Sequence, residues 1–384
     1  MKIIVAPDSF KGSLSAVEVA DSIEAGIKKA EPRVEVTKIP LADGGEGTVE
    51  ALVTATGGKI LQARATDPLG EKIDSFFGIL GDGETAVIEM AATSGLDLVP
   101  AHLRNPLHTT TYGVGELMLA ALENNCNKII IGLGGSATND GGMGMAKAMG
   151  VRFYDKNGQE VGEGGKHLGE VMTIKSDNID SRLKESEVIA ASDVNNPLLG
   201  KHGASFIYAP QKGADKDTVL FLEKGMENFA ATITESLGLE ISNFPGSGAA
   251  GGLGAGLMAF CGAKMKPGME VLREICRLDE ILNNADLLIT GEGKTDEQTS
   301  FGKAPLGIAK VAKEKNVAVV CLSGGLDSGF EIIYNHGIDA AFSSINMPMP
   351  LENAMAQSSK MLAQTAEAIT RLAVKLSKNS NING

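Results

Sequence analysis

From Lys128 to Gly150 the chain passes through an apolar run, a glycine-rich turn and a helix-like segment, and that order restricts what the surrounding chain can become. Lys128-Ile129-Ile130-Ile131 reads as a buried strand. Gly132 to Gly142, Gly-Leu-Gly-Gly-Ser-Ala-Thr-Asn-Asp-Gly-Gly, reads as a turn, and Met143 to Met149 as a helix that Gly150 can close. Its five glycines, Gly134 and Gly135 among them, let the backbone approach closely and take positive φ. Successive N–H groups can then converge on one concavity with a helix N-terminus behind it, which is an anion cradle. Ser136, Thr138 and Asn139 add side-chain donors or a helix cap. Asp140 adds a carboxylate, unfavourable beside a bare phosphate and useful beside one carrying Mg2+. The same string also fits an ordinary tight strand-to-helix connection.

The flanking sequence supports a parallel sheet. Lys2 to Ala6 reads as a buried strand; Ser15-Ala16-Val17-Glu18 is a capping box, and Val17, Ala20, Ile23 and Ile27 lie on one helical face. Val34 to Ile39 and Thr48 to Thr56 read as the next strand and helix. From about Lys59 the texture changes: Lys59 to Thr66, Ile73 to Leu80 and Thr85 to Met90 read as antiparallel or mixed strands. A helix over Gly113 to Asn124, a hairpin around Asn157-Gly158, a strand over Val188 to Ser192 and a long amphipathic helix over Asp215 to Leu237 follow. The last third alternates again: strands at Asp286 to Thr290, Val317 to Leu322 and Ala340 to Ile345, helices at Pro305 to Lys315 and Leu351 to Leu376. The expected fold class is α/β with two α/β domains. Residues 1–60 plus 286–384 form a discontinuous Rossmann-like, doubly wound parallel-sheet domain, and residues 61–285 an inserted mixed α/β domain.

Composition narrows the partners. The formal net charge is −13, which argues against nucleic acid or an anionic membrane, since both demand a basic footprint. An anionic ligand must therefore be held by local donors and a metal, against the global field. The cysteines Cys126, Cys261, Cys276 and Cys321 show no metal-ligand spacing and read as reduced, buried thiols of a cytoplasmic protein. Ile3 to Ala6 is too short for a signal segment and meets Asp8 at once. The uncharged stretch Ile241 to Ala263 carries Pro245 and seven glycines, too few large apolar residues for a membrane span.

Further loops share the carboxyl edge that parallel sheets use for ligands. Ala6-Pro7-Asp8-Ser9-Phe10-Lys11-Gly12-Ser13 follows the first strand, Ala42-Asp43-Gly44-Gly45-Glu46-Gly47-Thr48 the second, and Gly291-Glu292-Gly293-Lys294-Thr295-Asp296 the strand ending at Thr290. Singly each is a turn. Jointly they gather Asp8, Asp43, Glu46, Glu292 and Asp296 with Lys11 and Lys294, and a divalent cation relieves the repulsion among such carboxylates. Asp193, after the strand at Val188, stands where a catalytic carboxylate would, or in an Asx-turn before Pro197. Gly246, Gly248 and Gly251 spell GxGxxG without a preceding strand, so a phosphate-binding helix start or close helix packing is favoured over a dinucleotide fingerprint. Gly293-Lys294-Thr295 lacks the upstream glycine of a Walker A motif, with Leu at position 288. Lys212 and Arg104 are basic residues in loop settings, each readable as a solvated surface charge.

Taken together, APDSFKGSLSA at 6–16, PLADGGEGT at 40–48, GLGGSATNDGG at 132–142, DVNNPL at 193–198, PQKGA at 210–214, GSGAAGGLG at 246–254 and GEGKTDEQT at 291–299 resemble the bacterial type-I glycerate kinase family. The resemblance implies a cytoplasmic two-domain enzyme, a monomer or homodimer that closes around its substrates. It would phosphorylate D-glycerate from ATP with Mg2+ to give 2-phosphoglycerate. It further implies nucleotide contacts from Gly134, Gly135, Ser136, Thr138, Asn139, Asp140, Gly248 and Gly251, and acid contacts from Ser9, Asp43, Gly45, Glu46 and Lys212. Glu292 and Asp296 would hold the metal. Asp193 is the preferred general base with Asp8 next, and Lys11 the partner of a phosphate or of the glycerate carboxylate. The alternatives are a kinase of another small hydroxy acid, a dinucleotide-dependent oxidoreductase resting on GxGxxG, and a non-catalytic nucleotide-binding protein.

Overall fold

The computed structural model describes residues 1–42, 44–297 and 304–380. The chain is mixed α/β and divides into two compact units, one of Met1–Ala42, Glu50–Thr56 and Met269–Gly384, the other of Asp43–Val49 and Gly57–Gly268.

In the first unit, Lys2–Pro7 pairs in parallel with Glu35–Lys38 on one side and Leu287–Gly291 on the other. Ala318–Ser323 and then Ala340–Ser343 extend the sheet beyond Leu287–Gly291, again in parallel. A parallel sheet is covered on both faces, which is why Lys2–Pro7 is apolar nearly throughout. The chain leaves Lys2–Pro7 to one side and later resumes on the other, so the strand order reverses between Lys2–Pro7 and Leu287–Gly291. The carboxyl ends of those two strands are therefore the switch point at which open α/β sheets bind ligands.

The helix Ala16–Ala30 starts at the expected capping box, with Ser15 Oγ accepting the Glu18 N–H at 3.3 Å and Glu18 Oε2 accepting the Ser15 N–H at 2.8 Å. Its buried face is centred on Val19, Ala20, Ile23, Gly26 and Ile27, with Val17 only half buried. The face is rotated from the sequence-based one because the helix Ser358–Ser380 crosses at Gly26, where a Cβ would stand 2.1 Å from the Ala363 carbonyl oxygen. The expected single C-terminal helix is two, Leu351–Ala356 and Ser358–Ser380. At the break Ser358 Oγ donates to the Ala354 or Met355 carbonyl, both at 2.9 Å, and Ser13 Oγ donates to Met355 O at 2.9 Å.

The second unit carries a sheet ordered Lys264–Lys266, Glu187–Ala191, Lys128–Gly132, Thr85–Glu89, Lys72–Ile79, Lys59–Thr66. The first four strands are parallel, and the last two join antiparallel, so the mixed character expected after Lys59 holds. Here the order follows the chain without reversal. Carboxyl ends of Thr85–Glu89, Lys128–Gly132 and Glu187–Ala191 consequently lie side by side. The Asn157-Gly158 turn closes as expected, with Val161 N donating to Phe153 O at 3.0 Å, but the ladder of Arg152–Tyr154 is made with Thr173–Lys175. The long helix Lys216–Leu237 is capped by Asp215, which accepts the Thr218 N–H at 2.8 Å, and packs Phe229 against Phe153 and Phe260. No described helix is long and apolar enough to cross a membrane.

Gly26 tests the packing of the first unit. Alanine gains helix propensity but drives a methyl into backbone that cannot rotate away. Gly26→Ala is expected to cost about 1–3 kcal/mol and to lower the melting temperature followed by circular dichroism. An unchanged melting temperature would contradict this helix crossing.

Candidate active site

In the second unit the glycine-rich loop is tied to its neighbours before any side chain is considered. Leu133 N donates to Ala191 O at 3.1 Å and Gly134 N to Gly44 O at 3.0 Å, so the loop is stitched to the end of Glu187–Ala191 and to the Gly44-Gly45 turn. Gly135, at φ +74, turns the chain over, and Ala137 N then donates to Ser94 O at 2.9 Å. Gly135 is exposed at the loop tip, whereas Ser136, Ala137, Thr138, Asn139 and Asp140 are buried.

Asp140 organises the second half of the loop. Its side chain is 0% exposed and accepts from the Thr111 N–H and hydroxyl at 2.9 and 2.8 Å, from Gly144 N at 3.2 Å and from Gly142 N at 3.1 Å. Burial pushes its pKa up, and these bonds oppose that shift. Its two oxygens are therefore engaged in holding the loop to the start of the helix Met143–Ala148. The expected place beside a nucleotide-bound metal is replaced by a positioning one. Thr111 carries no mark of this role in the sequence beyond the Thr109-Thr110-Thr111 run ahead of a helix.

Lys212 is the second buried charge. It sits in the single turn Pro210–Lys212, 1% exposed, and its Nζ donates to Ser136 Oγ and to Thr138 O, both at 2.6 Å. Burial pushes its pKa down to about 7, partly offset by the charge of Asp140. The solvated surface charge that its loop setting allowed is thus excluded. Nearby, Thr138 Oγ1 and Asn139 Oδ1 are buried without a hydrogen-bond partner, while Asn139 Nδ2 donates to Ser205 Oγ at 3.3 Å.

Gly248 and Gly251 serve packing. A Cβ at Gly248 would meet Pro197 O at 2.1 Å and one at Gly251 would meet Thr138 O at 2.0 Å. Ala250, Gly251 and Gly252 are all left-handed, which bends this segment under the loop, and Gly251 O accepts the Gly141 N–H at 3.1 Å. These glycines are accounted for by close approach to protein backbone, so the GxGxxG spacing no longer favours the oxidoreductase reading. Asp193, two residues beyond Ala191, is exposed, and its Oδ1 accepts the Gly268 N–H at 2.9 Å. Gly45 is half buried, its carbonyl accepting the Thr48 hydroxyl at 2.7 Å, and Glu46 is exposed. Asp43 lies outside the described residues.

The first unit assembles the other expected residues at its strand reversal. Asp8 N donates to Gly291 O at 2.8 Å, and Asp8 Oδ1 accepts the Ser9 N–H at 2.6 Å. A Cβ on Gly293 would lie 3.2 Å from the Phe10 Cα, so the loops bearing Asp8, Ser9, Lys11 and Glu292 run side by side. Glu292 is 7% exposed, and Lys11 is exposed. Asp296 is 3.6 Å from Lys294 Nζ, which also pairs with Asp327 at 2.7 Å. Asp327 first, and Asp296 more weakly, raise the Lys294 pKa. Behind them Thr295 and Ser323 share a buried hydroxyl–hydroxyl hydrogen bond at 2.6 Å. Among the described residues no group of three or more His, Cys, Asp or Glu is placed to hold a metal without help. Two hard carboxylates, Glu292 and Asp296, still fit Mg2+, which takes one or two carboxylates together with phosphate oxygens.

The glycerate kinase family model matches residues 3–374. A glycerate kinase of Halalkalibacterium halodurans is 47% identical over 96% of this chain and 97% of its own length. A glycerate 2-kinase of Escherichia coli is 48% identical over 92% of this chain and 93% of its own. The crystal structure of a putative glycerate kinase 2 from Salmonella typhimurium superposes with a TM-score of 0.90, at 44% identity and with 99% of both chains covered. The chain therefore belongs to the glycerate kinase family and is a kinase.

Proposed function

We propose that this protein transfers the γ-phosphoryl group of ATP to the 2-hydroxyl of D-glycerate, giving 2-phosphoglycerate and ADP. The observation that carries the reading is the buried lysine fastened to a glycine-rich loop, in a chain whose relatives are named glycerate kinases and, in Escherichia coli, glycerate 2-kinase. An acidic protein that binds anions needs such a local cation. The four cysteines are free thiols, in keeping with work in the cytoplasm, as a monomer or homodimer.

The chemistry asks for positioning and charge neutralisation, with little covalent work by the protein. The acceptor hydroxyl oxygen forms a bond to the γ-phosphorus, the bond to the β–γ bridging oxygen breaks, and ADP leaves with that electron pair. The hydroxyl proton passes to Asp193, with Asp8 as the second candidate. Gly134, Gly135, Ser136 and Thr138 hold the phosphates. Lys212 lies on the substrates' anionic oxygens, and Lys11 with Ser9, Asp43, Gly45 and Glu46 binds and orients the acid. Glu292 and Asp296 would hold Mg2+, which when bound neutralises phosphate charge. Asp140 keeps the loop in shape.

Three measurements test this. ADP release with Mg-ATP across a panel of short hydroxy acids, tartronate and tetronates included, is expected to be fastest with D-glycerate. Phosphorus NMR should show the 2-phosphate; a better acid or a 3-phosphate would replace the named reaction. Asp193→Asn should lower kcat by about 10²- to 10⁴-fold with ATP affinity retained, and Lys11→Ala should raise the KM for glycerate as well as slow turnover. Near-normal kinetics would remove either residue from its role. Asp296→Asn and Glu292→Gln should shift the Mg2+ concentration for half-maximal rate upward, and an unmoved metal titration would place the ion elsewhere.

A further inference from the structure

Lys212 has an incomplete set of partners. An ammonium carries three donors, and the protein meets two of them, with the Ser136 hydroxyl and the Thr138 carbonyl. Both acceptors are neutral. The charge whose field reaches Lys212 is that of Asp140, whose oxygens already accept four hydrogen bonds of their own. A buried lysine so placed is costly for the fold, because two bonds to neutral acceptors and a carboxylate not bonded to it offset desolvation only in part. The cost recurs at Thr138: the residue whose carbonyl holds Nζ also carries a buried hydroxyl with no partner. Buried polar groups left unmatched on one residue pair indicate a missing ligand with several acceptor oxygens.

We infer that Lys212 and Thr138 form the oxyanion subsite for the transferred phosphoryl group, Lys212 donating its remaining N–H and Thr138 its hydroxyl. This deepens the kinase reading and rests on it. A phosphoryl group in transfer spreads charge over three oxygens, enough to complete both residues at once. The Ser136 and Thr138 anchors belong to the glycine-rich loop itself, so the cation is fixed relative to the backbone that receives the phosphates. The lowered pKa of Lys212 agrees: burial favours the neutral amine, and an arriving anion restores the charged form where it is useful.

Calorimetric titration with the β,γ-imido analogue of ATP, with ADP and with D-glycerate tests the assignment in the full-length protein. Lys212→Met is expected to weaken the imido analogue about 10- to 100-fold, the usual range for a lost charge-assisted hydrogen bond. ADP, which lacks the transferred group, should bind nearly as before, and kcat should fall at least as far as the analogue's affinity. Thr138→Val guards against a folding artefact. It removes a hydroxyl with no partner, so the melting temperature should hold or rise while the analogue weakens roughly 2- to 10-fold. Three results overturn the inference: unchanged analogue binding in both variants, equal weakening of ADP, or a raised glycerate KM with analogue binding intact, which would assign Lys212 to the acid's carboxylate. Failure of the kinase reading is visible separately, as an unaltered protein that releases no ADP in response to D-glycerate.

Discussion

The carboxylate of Asp140 is the point on which the glycine-rich loop depends. Taking an isolated carboxylate out of water is unfavourable by far more than one hydrogen bond returns. The site is tolerable because two donors of Thr111 and two amides at the start of Met143–Ala148 converge on it. The same bonds fix the second half of the loop and where the next helix begins. They also place a negative charge within reach of Lys212, which raises the proportion of its charged form in a site that otherwise favours the neutral amine. Loop shape and lysine charge thus have one origin, and altering Asp140 would disturb both.

The two sheets solve the problem of presenting loops differently. In the first unit the strand order reverses between Lys2–Pro7 and Leu287–Gly291, and topology alone brings Asp8 and Glu292 to the switch point where such sheets bind ligands. In the second the order runs without reversal, so no such switch point follows from connectivity. There the loop is kept in place by backbone-to-backbone packing, with Gly44 on one side and Gly251 on the other. Ala250 at φ +53 shows the strain this packing accepts, of order 1–2 kcal/mol for a non-glycine residue.

Sequence pattern revealed the alternating strands, the Ser15 capping box, the Asp215–Leu237 helix and the loops themselves, because each depends on residues close together in the chain. What it could not reveal was burial set by distant neighbours. Lys212 in a loop of mixed polarity has no local mark that distinguishes a solvated lysine from one enclosed by Ser136 and Thr138, more than seventy residues away. Gly248 and Gly251 spell a phosphate motif equally well whether they face a ligand or the Pro197 and Thr138 carbonyls. The break between the helices Gly268–Ile275 and Leu278–Leu282 is likewise unmarked, because apolar spacing runs on through Arg277 although its backbone is left-handed. Resemblance of whole motifs in order carried the family where periodicity stopped.

A formal charge of −13 makes the protein as a whole a poor host for ATP and glycerate, both anions. A surface lysine would be screened by salt and would draw in either substrate, product or stray phosphate alike. A buried lysine responds differently. Burial shifts it toward the neutral amine, so it adds little at long range and interacts strongly only with a group that reaches it and displaces water. Specificity for a phosphoryl group delivered at short range then follows from burial, and the acidic surface ceases to be an obstacle because attraction is confined to the enclosed site.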